Sequence, residues 1–260
     1  MSLEFGALLL LIFVFFSIAV LYSSVGFGGG SSYLAVLALV FVNFYTIRST
    51  ALVCNLLVVS GSCYLFYKKG HLHFKKFLPF VITSIPLAYL GASLQIKEVV
   101  FFSILGVSLI IAAMALLIQT FNLQPNYNFN KYPKYFSYLL GGFIGLLSGL
   151  VGIGGGVFLA PILHYLKWDK PIVIAAFASF FILVNSVSGL GGLLVNNTFE
   201  VFWPETMGLF IAVILGGQLG TRLSISRLSA KRIRIITAIL VLFIGIRVLF
   251  TNGLQLNFFS

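Results

Sequence analysis

Long apolar runs separated by short polar connections decide what this chain can fold into. We read them as Phe5–Val25, Tyr33–Phe44, Thr50–Tyr67, Phe77–Leu94, Val99–Gln119, Tyr135–Leu150, Val157–Leu166, Ile172–Val195, Trp203–Leu223 and Ile233–Phe250. Several exceed the ~18 residues that mark a membrane-spanning helix. Only 8% of the residues are charged, against roughly a quarter in a soluble domain. The alternating ten-residue segments of a membrane β-barrel are absent. The chain is therefore expected to be an all-α polytopic membrane protein with about 8–10 helices. The first run lacks a basic leader and a small-residue cleavage site, so it reads as a helix to keep and not as a signal peptide.

The net charge of +11 does not point to nucleic acid. The basic residues stand between apolar runs, where the positive-inside rule puts them. The bilayer is the expected surrounding, and no oligomeric state is assigned.

The two halves repeat. "GFGGGSSYLAVLAL" begins at Gly26 and "GIGGGVFLAPILHY" at Gly152. "SG" at Ser60 and Gly61 answers "SG" at Ser188 and Gly189, and "LGASL" from Leu90 answers "LGTRL" from Leu219. We divide the chain into a first transmembrane repeat (1–120), a polar linker (121–134) and a second repeat (135–260). Charge relates the two. "YKKGHLHFKK" is strongly basic and its counterpart "NNTFEVFWPE" is not; "TRLSISRLSAKRIR" is basic and its counterpart "QIKE" is nearly neutral. Equivalent loops then face opposite sides, which implies inverted-topology repeats with both termini outside the cytoplasm. The runs after each knot are too short to span comfortably, so each knot sits in a broken or re-entrant helix pair. A crossing helix followed by a non-crossing short piece would instead give parallel repeats.

Non-helical backbone at membrane depth is tolerated where it is buried in protein or lines a cavity. Glycines bare their amides there, and each knot precedes a short helix whose first N–H groups lack partners and attract anions. Paired helix ends of this kind near the midplane are a recurring transport site. The expected substrate-binding groups are Gly28, Gly29, Gly30, Ser31 and Ser32 in the first half and Gly154, Gly155 and Gly156 in the second. Asn55 and Asn185, with Thr50, Ser60, Ser179 and Ser188, are expected either to complete the hydrogen bonds or to act as interhelical glue. Close helix packing is the alternative use of the glycines themselves. The acids Glu4, Glu98, Asp169, Glu200 and Glu205 all lie at helix ends or in loops. A small anion suits such a site better than a metal ion. His164, in the second short run, is the proton-coupling candidate. No nucleophile–base pair, metal spacing or phosphate loop emerges, so no enzyme, metal or cofactor is expected.

"GLVGIGGGVFLAPIL" from Gly149, the weaker copy "SSVGFGGGSSYLAVL" from Ser23, and the "SG", "GASL" and "GTRL" segments resemble the TauE/SafE family of sulfite-exporter-like permeases. The first copy departs from the pattern in having Ala35 where the second has Pro161. The resemblance implies a multi-pass protein of a prokaryotic cytoplasmic membrane. Its substrate would be sulfite, sulfoacetate or another organosulfur anion, moved with the help of the proton gradient. Two other readings stay open: a thiosulfate carrier or channel using Cys54 or Cys63, and a membrane protein that assists assembly without transporting.

Overall fold

The computed structural model describes residues 5–38, 43–94, 96–121, 129–130, 132–201, 203–225 and 230–254. They form ten α-helices: α1 (Phe5–Ser23), α2 (Gly30–Leu37), α3 (Phe44–Lys68), α4 (Phe74–Ser93), α5 (Glu98–Phe121), α6 (Lys134–Val151), α7 (Gly156–Tyr165), α8 (Pro171–Val195), α9 (Trp203–Ile225) and α10 (Ala230–Val248). A π-helical turn, Leu249–Gly253, extends the last. Eight of the described helices are long and apolar enough to cross a membrane; α2 and α7 are not. Most of the linker, the ends of the chain and part of the second basic loop lie outside the described residues.

The helix ends follow local chemistry. Asn43 caps α3, its side chain accepting the Tyr45 and Thr46 N–H groups; this satisfies donors that the helix start leaves over. The helix therefore begins six residues before the expected Thr50 and takes in Arg48. Pro171 opens α8 at a position where its missing N–H is no loss. Gly152 ends α6 in a left-handed conformation. The first short helix begins at Gly30, inside the knot, not at Tyr33.

Helices α3 and α8 form the centre. Their spans are 61% and 72% buried, against 33–50% for the other six. Residues such as Leu10, Phe13, Ile111, Phe143, Leu215 and Ile239 are exposed on the outer helices, as a lipid-facing surface requires. Packing exchanges the halves. Helix α1 lies on α9, α6 on α4, α5 on α10, and α3 on α8. The α6–α4 seam is drawn tight by Gly141, Gly145 and Gly149, which lie on Phe80, Ser84 and Ala88. That four-residue step lets two backbones approach closely along one face.

Two polar contacts show how the central helices run. Asn43, before α3, donates to Glu200, which follows α8, at 2.7 Å. Lys76, after α3, pairs with Asp169, which precedes α8, at 2.7 Å. The start of each helix thus lies beside the end of the other, and α3 and α8 are antiparallel. The α6–knot–α7 segment turns back on itself: Tyr132 donates to the Leu166 carbonyl at 2.9 Å and the Asn130 N–H to the Lys167 carbonyl at 3.1 Å. It enters and leaves by the same end, the one carrying the α3–α4 loop.

That end is basic. Lys68, Lys69, Lys75 and Lys76 are all exposed there. Partial burial, with His73 and Lys69 close by, holds the His71 imidazole below the usual histidine range.

Candidate functional site

Each knot is a left-handed turn feeding a short helix. Gly29 (φ 90°) precedes α2 and Gly155 (φ 80°) precedes α7. Any other residue would be strained at those angles. Both turns lie against the middle of the central pair. Gly28 and Gly30 lie on Asn55, and Gly154 and Gly156 on Ile182. Asn55 and Ile182 are each the twelfth residue of a 25-residue helix, so the knots lie level with the helix midpoints.

Asn55 joins them. Its Oδ1 accepts the Gly30 N–H at 3.1 Å, and its Nδ2 donates to the Ile153 carbonyl at 2.9 Å. One fully buried amide thus closes a helix-start donor of the first knot and a carbonyl of the second. Both are backbone groups at a depth where an unmet hydrogen bond costs about 1–3 kcal/mol.

The contacts also define which residues correspond. Gly28 meets Asn55 and Val59, while Gly154 meets Ile182 and Ser186; Gly26 meets Ala175, while Gly152 meets Arg48. A shift of 127 residues relates α3 to α8 throughout. By that register the counterpart of Asn55 is Ile182, and Asn185 answers Val58.

The expected residues therefore separate. Gly28, Gly29, Gly30, Asn55, Gly154, Gly155 and Gly156 come together at the knots. Ser32 donates to the Tyr22 hydroxyl at 2.5 Å, and Ser31 is buried beside it. Asn185 donates to its own helix at the Phe181 carbonyl, and its buried Oδ1 has no partner. His164 stands at the far end of α7 from the knot, eight residues from Gly156, about 12 Å along the helix. Ser179 donates to the Gly26 carbonyl, holding the first knot to α8. Ser188 donates to Ile85 on α4 and Ser60 to its own helix, so both serve packing. Cys54 and Cys63 are buried free thiols on α3.

Three side chains at the second knot escaped the sequence reading. Arg48, only 3% exposed, lies against Gly152 and donates from Nη2 to the Gly149 carbonyl at 2.6 Å. Its guanidinium sits 5.7 Å from the Phe101 ring centre. Its Nε has no partner, and no carboxylate among the described residues pairs with it. Ser186 lies against Gly154 and Ser148 against Gly155, and both hydroxyls are buried without partners. The available signal was Asn43, a helix-start residue whose recognition would have put Arg48 on α3. No sequence signal marked Ser148 or Ser186, which read as small residues in apolar helices.

Comparisons with known proteins agree with this architecture. The family model for the sulfite exporter TauE/SafE matches residues 11–248. The chain is 32% identical over 245 residues to "Probable membrane transporter protein y4hK" of Sinorhizobium fredii, covering 90% of this chain and 95% of that one. It is 29% identical over 107 residues to "Probable membrane transporter protein YunE" of Bacillus subtilis, covering 41% of this chain and 38% of that one. With "Probable membrane transporter protein MJ0441" of Methanocaldococcus jannaschii it shares 32% identity over 104 residues, 37% of this chain and 38% of the other. No solved structure matches.

Proposed function

Because the chain belongs to the sulfite exporter TauE/SafE family of multi-pass membrane transporters, we propose that it moves a small sulfur-containing anion across the cytoplasmic membrane. Sulfite, sulfoacetate or another organosulfonate is the substrate class. The observation that carries this reading is the meeting of two glycine knots at the midpoint of the central helices, joined by Asn55. Short-helix starts of this kind favour a negative charge. The carboxylates whose contacts are described lie away from the knots: Asp169 on Lys76, and Glu200 on Asn43 and Thr46.

The antiparallel α3 and α8 and the folded-back α6–α7 segment support an inverted arrangement of the repeats 1–120 and 135–260. Each repeat then crosses the membrane three times and adds one re-entrant pair. The basic end faces the cytoplasm by the positive-inside rule, which puts both chain ends outside. Rocking of one repeat against the other exposes the knots to each side in turn. The coupling ion is the proton, with His164 as its candidate carrier near the cytoplasmic mouth.

Flux into proteoliposomes tests this. Labelled sulfite or sulfoacetate is expected to accumulate faster under an imposed proton gradient than without one. Equal rates in the two conditions would remove the coupling but keep the substrate class. A protein that moves none of sulfite, sulfoacetate, thiosulfate or small sulfonates would contradict the anion reading itself.

A further inference from the structure

The two knots are not equivalent binding surfaces, and we infer that the anion's charged group is held by the second knot alone, with Arg48 as its counter-charge and Ser148 and Ser186 as hydroxyl donors. This rests on the transport reading above and adds to it which half of the site holds the charge.

Unmet hydrogen-bonding capacity carries the inference. At the first knot the Gly30 N–H is closed by Asn55, the Gly26 carbonyl by Ser179, and Ser32 by Tyr22. Its buried orphans are the Tyr33 hydroxyl, beside Gly29, and the Ser23 hydroxyl, whose Cβ lies against Gly220 of α9. The counterpart of Arg48 there is Ala175, packed on Gly26, so among the described residues that position carries no cation. At the second knot Ile182 takes the place of Asn55 and accepts nothing from the Gly156 N–H. Three further donors without partners belong to side chains that line the same turn: Arg48, with Nε by Gly152, Ser186, with Oγ by Gly154, and Ser148, with Cβ by Gly155.

A buried guanidinium with one carbonyl and one ring for company is a costly arrangement in a membrane span. Such residues mark ligand pathways when no acid neutralises them. A guanidinium edge, two hydroxyls and helix-start amides are the donors an oxyanion takes. A sulfite or sulfonate group offers three oxygens to such a set. A carboxylate offers two, leaving one donor unmet, and so should bind more weakly.

The test is equilibrium binding of sulfite and sulfoacetate, with acetate as the planar comparison, to the purified full chain by calorimetry and thermal shift. Arg48→Gln is expected to weaken sulfoacetate binding by roughly ten- to a hundredfold, the range of a charge-assisted hydrogen bond. Ser186→Ala and Ser148→Ala should each weaken it by roughly two- to tenfold. Ser32→Ala, at the first knot, should cost less than either. Ser62→Ala, which removes a buried bond to Thr221 away from the knots, is the control for general loosening. If Arg48→Gln does not fold, Arg48→Lys keeps the charge without the fork and should still lose affinity while Ser62→Ala does not. Wild type binding sulfoacetate with Arg48→Gln and Ser186→Ala unchanged overturns the assignment and leaves the transport reading standing. Wild type binding none of the probes overturns both.

Discussion

The two glycine knots share a backbone and differ in their neighbours. Gly29 and Gly155 both start a short helix from a left-handed turn, and both turns lie against the middle of a central helix. Around the first, side chains take up the exposed groups: Asn55, Ser179 and the Ser32–Tyr22 pair. Around the second, an isoleucine stands where the asparagine would be, and an arginine and two serines keep unmet donors. A duplicated motif thus supplies a symmetric frame, and a few substitutions on α3 and α8 divide the labour. The first knot is fixed in place by the protein. The second keeps donors that the protein leaves unmet.

Making the knots alike is the strongest way to break this comparison. Asn55→Ile copies the second half's side chain into the first. It strands the Gly30 N–H and the Ile153 carbonyl in the core. At about 1–3 kcal/mol for each group, the loss of stability should be about 2–6 kcal/mol, read as a lower unfolding temperature in detergent, with transport abolished. Asn55→Asp sharpens the point. It keeps the acceptor for Gly30, removes the donor to Ile153 and puts a negative charge between the knots. Sulfoacetate flux should fall further than stability does. Flux retained in Asn55→Asp would show that no anion passes this residue.

A smaller effect separates the turns themselves. An added methyl at Gly155 meets Phe181 Cε1 at 2.9 Å, and Ile144 Cγ2 and Ser148 Cβ at 3.1 Å. At Gly29 it meets the far end of Tyr33 at 2.9 Å and Ile18 Cγ2 at 3.1 Å. Both positions carry the left-handed penalty of about 1–2 kcal/mol. Ser148 Cβ is fixed to its helix and cannot swing away, so Gly155→Ala should add about 1–3 kcal/mol of overpacking. Tyr33, although stacked on Phe15, meets the new methyl with its ring tip. Gly155→Ala should therefore unfold at a lower temperature than Gly29→Ala. The reverse order would place the tighter turn in the first half.

Much of this frame was legible from residues alone. Apolar runs near or above the spanning length gave nearly every helix to within a few residues, because lipid leaves the backbone few alternatives. The glycine strings located the knots, since little else explains such clusters beside short helices. Arg48 was not legible. One cation near an apolar run looks like a boundary, and only the Asn43 cap carries α3 past it. The counterpart of Asn55 was not legible for another reason. Matching "SG" to "SG" shifts the halves by 128 residues, whereas packing against the knots sets 127. One residue turns a helix by about 100 degrees, enough to move a side chain off the contact face.

The ends of the central helices offer the mildest test. One end is fastened by the Lys76–Asp169 ion pair, the other by Glu200 accepting from Asn43 and Thr46 at 2.7 and 3.3 Å. The first joins two opposite charges, the lysine side chain 59% exposed and the aspartate 10%. The second joins a charge to neutral donors. An ion pair with one exposed partner is worth about 1 kcal/mol and is partly screened by salt, since the Debye length falls to about 3 Å at 1 M. Asp169→Asn should lower the unfolding temperature slightly at low salt and by less near 1 M. Glu200→Gln keeps an acceptor oxygen and loses only its charge, so a deficit of about 1 kcal/mol should persist at both salt concentrations. Equal salt sensitivity at the two ends would mean that Glu200 is answered by a cation and not by Asn43, and the contrast between the two fastenings would fall.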